Sequence, residues 1–205
     1  MIFIGEACAS MTNGFFQRLR NAFRSTGPDP SRQLFIDDYV VGGLEVLPAS
    51  CRDWCAQQIA EIARFSAQHE APGDAGWTDV YVRPASPASI ADLSIPFAPA
   101  VEALGRRLAR IEEVITGSLT APQLIHRARA FGPSPLTAVV LYGGEGLRLV
   151  GSIELTLRSD EAEALAVLEA MAALPSPEPL LVVNWQRGCL ARIGDRSEVE
   201  QFASS

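Results

Sequence analysis

Apolar residues recur every second position in some stretches of the chain and every third or fourth in others. That change of period divides the sequence into strands and helices. The two-residue period is cleanest at 147–157, where Leu147, Leu149, Ile153, Leu155 and Leu157 alternate with Arg148, Ser152, Glu154 and Thr156. It predicts a strand with one buried and one wet face. The apolar run 136–142 and Gly143-Gly144-Glu145-Gly146 precede it, so the pair reads as a hairpin. The compact run 180–183 predicts a buried central strand. A turn at 184–188 and a returning strand at 189–193 follow it. Earlier in the chain, 34–41 and 44–47 read as a hairpin about Gly42-Gly43, and 77–82 as a short strand.

The helical period marks other segments. Cys51, Cys55, Ile59, Ile62 and Ala63 share one face of a helix predicted from Ser50 to about Gln68, and Ser50 and Asp53 have capping-box spacing. Val101, Leu104, Leu108, Ile111 and Ile115 predict a second helix ending near Gly117. Residues 122–131 predict a short third helix with Pro122 in its first turn. Asp160 and Glu163 open a fourth, which carries Leu165, Leu168 and Met171 and stops at the prolines of 175–179. Residues 197–202 predict a short terminal helix. Phe15, Phe16, Leu19 and Phe23, with Arg18, Arg20 and Arg24 between them, predict a basic amphipathic helix near the start. The expected fold is therefore α+β: an antiparallel or mixed sheet of about six strands with helices packed against it. One globular domain, 1–205, is expected, with a basic N-terminal segment at 1–33 and an acidic body at 34–205.

Charge narrows the partners. The 17 basic residues are all arginine and face 24 acids, for a net charge of −7. The balance is +2 over residues 1–33, −4 over 34–144 and −5 over 145–205. An acidic body repels a phosphate backbone and attracts a basic protein surface, so a protein partner is expected and nucleic acid is not. No apolar run reaches the roughly 20 residues that span a bilayer. The apolar start, residues 1–5, lacks the flanking basic region of a signal peptide. The expected location is the cytoplasm, and the sparse, dispersed cysteines fit a reducing compartment.

Candidate chemistry is thin. A phosphate-cradling glycine loop is followed by a helix, whereas a strand follows Gly143–Gly146, so those glycines read as a turn. His69, His126, Cys8, Cys51, Cys55 and Cys189 show no ligand spacing, and no metal or cofactor is expected. Asp37 and Asp38 on a strand face opposite ways. Glu112 and Glu113 on a helix point about 100° apart. No nucleophile sits beside a base, so the reading leans away from an enzyme. Surface positions carry the functional reading instead: Asp37 or Asp38, Glu145 on one hairpin turn, and Trp185 with Arg187 on another. Tryptophan and arginine are enriched at binding hot spots.

A small, acidic α+β chain that lacks catalytic motifs and ends in a β-β-helix segment, with Trp185 at a strand end, resembles bacterial toxin-immunity proteins in general build. The resemblance implies a non-catalytic protein that neutralises a toxin by direct binding. The residues alone leave two other classes open. One is an enzyme with a site assembled from dispersed positions; the other is a regulatory or structural subunit of a larger assembly.

Overall fold

The computed structural model describes residues 33–36, 43–70, 78–118, 121–158 and 160–205. The expected N-terminal helix, Asp37, Asp38 and Trp77 lie outside these residues. The α+β class holds, with helices packed against mixed and antiparallel sheets. The single six-stranded sheet does not: among the described residues, ten strands form three sheets.

The four-stranded sheet has the order β3-β6-β7-β8. It comprises β3 (Arg110–Ile111), β6 (Ala128–Ser134), β7 (Thr137–Gly143) and β8 (Val150–Leu157). All its pairings are antiparallel. The β7–β8 hairpin is the one the alternation predicts, but Leu147 and Leu149 lie exposed in the turn, and the buried residues of β8 are Val150, Ile153 and Leu155. Strand β7 is buried on both faces: Val139 and Leu141 look one way, Ala138 and Val140 the other. A bulge falls in β6 between Phe131 and Ser134. Gly132 is required there, because a Cβ would come within 2.2 Å of the Thr137 carbonyl oxygen.

A second sheet has the order β10-β9-β2 and is antiparallel throughout. Its strands are β2 (Leu44–Pro48), β9 (Leu180–Asn184) and β10 (Cys189–Arg192). The run at 180–183 is central, as predicted. The turn after it is built locally: Asn184 Oδ1 accepts from the amides of Gln186 at 3.1 Å and Arg187 at 3.0 Å, and Gly188 takes a φ of 65°. In the third sheet, β1 (Gln33–Phe35) runs parallel to β4 (Glu113–Ser118), which pairs antiparallel with β5 (Ala121–Leu124). Thus β1 and β2 are not a hairpin; they belong to different sheets.

The middle of the chain departs most from expectation. Helix α2 (Phe97–Gly105) stops where the apolar stripe continues, and 110–118 is strand. Ile111, Val114, Ile115 and Thr116 are β-branched and favour the pleated surface. The expected helix at 122–131 is likewise β5 and β6. Helices α1 (Arg52–His69), α3 (Glu161–Met171) and α4 (Arg196–Ser204) lie where the period puts them. Asp160 caps α3 by accepting from the Glu163 amide at 2.9 Å. Ser50 caps nothing. Its amide and hydroxyl instead donate to the Glu178 carboxylate at 3.0 and 3.1 Å.

Three apolar clusters follow from this layering. The largest joins α2, α3 and α4 to facing sides of β7, β8 and β9. A second lies between β1 and β4 and the far side of β6 and β7. The third lies under α1, on the other side of β9.

Candidate functional site

Charged and aromatic side chains gather on the α1 side of the β10-β9-β2 sheet. Side chains alternate along β2, so Glu45 shares the α1 face with Leu47, while Leu44 and Val46 enter the largest core. Trp185, just past the end of β9, lies on that same face and is only 2% exposed. Its amide donates to the Gly43 carbonyl at 2.6 Å, and its indole Nε1 donates to Glu45 Oε2 at 2.8 Å.

Arg83 completes the group. Its Nη2 donates to the same Glu45 oxygen at 2.6 Å. Its guanidinium carbon stands 4.1 Å from the centre of the Trp185 ring and 5.2 Å from that of Trp54. The two indoles meet edge-on, centres 6.0 Å apart at 80°. The cation therefore sees two negative ring faces and one carboxylate, and a cation–π contact of this kind stabilises by about 0.5–2 kcal/mol. Arg83 Nε is buried with no hydrogen-bond partner among the described residues.

A hydrogen-bonded group continues this pattern along α1. The Tyr81 hydroxyl lies 3.0 Å from both Gln58 Oε1 and Glu61 Oε2. Its single proton serves one of them at a time. Gln58 Nε2 and Gln57 Nε2 donate to the two Glu61 oxygens at 3.1 and 2.9 Å. These bonds, from Gln57 first and then Tyr81, hold the Glu61 carboxyl below its ordinary range. Burial, then the bond to Glu61, pushes the Tyr81 phenol up. Phe65 stacks on His69 at 4.1 Å and touches the Tyr81 ring at 5.4 Å.

Tyr81 and Arg83 belong to a strap, residues 78–89, that runs back along α1. At its start the Thr78 amide and hydroxyl donate to the His69 carbonyl at 2.8 and 3.2 Å. At its end the Ala88 carbonyl accepts from Cys51 Sγ at 3.7 Å. Between these ties the side chains alternate, with Tyr81 and Arg83 inward and Val80 and Val82 outward. The two valines are 56% and 76% exposed. Two-residue alternation is the habit of extended chain, yet residues 80–83 pair with no strand among the described residues.

Under the helix, Cys51 and Cys55 are fully buried and face the same cluster. Burial pushes both thiols up, that of Cys55 to about 12. A thiol held protonated at neutral pH is a poor nucleophile. The arrangement fixes a strap in place and displays its outer residues. A shallow cleft of about 280 Å³ between Met171, Leu174, Pro179 and Ile193 lies elsewhere, beside the loop that holds Glu178. Among the described residues no three His, Cys, Asp or Glu side chains are grouped to hold a metal ion, and no helix is long and apolar enough to cross a membrane.

The expected contact residues are placed unevenly. Asp37 and Asp38 lie outside the described residues. Glu145 begins the single 3-10 turn Glu145–Leu147 between β7 and β8. Arg187 is exposed on the β9–β10 turn, where its Nη1 donates to the Ser205 carbonyl. Trp185 is the correction. It was expected on the contact surface, but its ring is sealed beneath Arg83, because the indole N–H finds its acceptor, Glu45, on the inner side. Sequence reasoning missed Tyr81, Val82, Arg83 and Glu45. The alternation Val80-Tyr81-Val82-Arg83 was the available signal, and the strand expected at 77–82 stopped one residue short of Arg83.

Comparison of the chain with protein-family models, with curated proteins and with solved structures finds no match.

Proposed function

We propose that the chain is a non-catalytic binding protein of the toxin-immunity kind, and that its α1–strap face docks a basic surface of its protein partner. The observation that carries this reading is the outward display of Val80 and Val82 on a strap whose inward residues, Tyr81 and Arg83, are anchored. Exposed β-branched residues on prepositioned backbone lose little conformational freedom on binding. Charge supports it. Arg52 and Arg83 are paired with Glu198 and Glu45, and Asp53, Glu61, Glu70 and Asp79 lie on the helix and strap. An acidic rim steers a basic partner and raises its association rate.

The experiment is capture of the partner from the native host, then association and dissociation kinetics at two salt concentrations. Val82→Asp should speed dissociation more than tenfold, and Asp79→Arg should slow association and weaken its salt dependence. Unchanged kinetics for both variants would overturn the reading. Turnover of a metabolite by the isolated chain would put an enzyme in its place.

A further inference from the structure

We infer that the strap is a strand acceptor: the partner contributes an extended, basic segment that pairs with residues 80–83 as an added β-strand. The inference rests on the proposed binding face and states how that face is used.

In extended chain the N–H and C=O of one residue point to the same edge, and a strand laid there exchanges both bonds with it. Val82 offers such a pair. It is 76% exposed, and no described residue bonds its amide or carbonyl. The Val80 amide donates to the neighbouring Asp79 Oδ1 at 2.8 Å, a bond an incoming carbonyl can replace. Pro84 has no N–H, so pairing ends there and the acceptor is short. Tyr81 and Arg83 hold the strap from below, so the register is fixed before the partner arrives.

Charge selects the occupant. A second copy of this chain carries the same net charge of −7, so two copies repel each other. A segment alternating arginine or lysine with β-branched residues would place its cations near those carboxylates and its apolar residues beside Val80 and Val82. Main-chain bonds then supply affinity and the alternate side chains supply specificity.

A random peptide library displayed against the immobilised full chain tests this, read with two variants. Val82→Pro removes the amide while suiting extended backbone; Val82→Thr keeps both the amide and the branch. Circular dichroism melting should show that both fold. Enriched peptides should alternate basic and β-branched residues. They should bind Val82→Pro at least tenfold more weakly and Val82→Thr within about threefold. Amide exchange at Val82 should slow on binding, and N-methylation along one edge of the peptide should abolish binding while methylation along the other does not. The inference is overturned by no enriched peptide, by equal binding to Val82→Pro, or by self-association of the chain that Val82→Pro abolishes. Captured partner separates the two proposals. If Asp79→Arg impairs its binding and Val82→Pro does not, the binding face stands and strand addition falls.

Discussion

On one face of the β10-β9-β2 sheet, Leu180, Val182 and Ala191 meet hydrocarbon from α2, α3 and α4. On the other, Leu181, Val183 and Trp185 meet α1 and a strap that inserts Arg83 and Tyr81, bonded to Glu45 of β2 and Gln58 of α1, among the apolar residues. The first face is held by burial, which has no direction. The second is held by bonds of set length and angle, which fix where each backbone segment lies. The difference explains why a segment with no ladder partner can still present two valines in a defined order.

The largest expected effect lies on the apolar face. Val182 is fully buried at the centre of the sheet. Val182→Asp should prevent folding, since an unpaired buried charge is severely destabilising. A soluble variant with a cooperative melt would show that this face is not the core. Next comes the directional face. Arg83→Ala leaves Glu45 with one donor and opens a gap between two indoles. The pair lies between a surface and a buried ion pair, with side chains 16% and 33% exposed, so a loss of about 2 kcal/mol is expected by urea unfolding. If the faces differ as argued, the variant should keep its global fold and lose protection from proteolysis within 78–89.

Tyr81→Phe is a milder form of the same test. It deletes one hydroxyl, leaves Gln58 with an unmet acceptor, and should cost about 1 kcal/mol. The smallest effect belongs to the rim of the sheet, where Glu198 accepts from Arg52 Nη1 at 2.9 Å and from the Arg192 amide at 2.7 Å. The Arg52 bond, ahead of the Arg192 amide, lowers the Glu198 pKa from its ordinary 4.5. A carboxylate whose folded pKa is depressed stabilises above its unfolded value, and that contribution is lost as pH falls through the folded one. Glu198→Gln should therefore lower stability at pH 7 by about 0.5–1 kcal/mol, given the exposure of the pair, and the gap from the parent should narrow at pH 3.

Legibility in the sequence follows the same division. The β7–β8 hairpin, α1, α3 and α4 were readable because each buries a face with a simple period, and β9 because its unbroken apolar run is buried on both faces. The segment 101–115 was not, because Leu104, Leu108, Ile111 and Ile115 repeat at helical intervals by coincidence. The break at Gly105 and the β-branched residues beyond it decide the matter. The site was hardly legible. Trp185 drew attention as a turn residue, but its acceptor is 140 positions away in β2, and Arg83 meets Glu45 across 38 positions. Directional contacts between distant segments leave no periodic trace.

The Glu178 clasp on Ser50 sets an order on the making of this protein. The donor groups stand 128 positions ahead of their carboxylate, and β2 finds its ladder partner only in β9. On a ribosome, β2 and α1 emerge long before either contact exists, so Trp54, Cys51 and Cys55 wait exposed until β9 emerges. Such long-range closure slows folding and lengthens the time in which apolar surface can aggregate. A chain released short of β9 would carry α1 and the strap with nothing beneath them. The face that displays Val80 and Val82 thus becomes competent only once β9 has emerged.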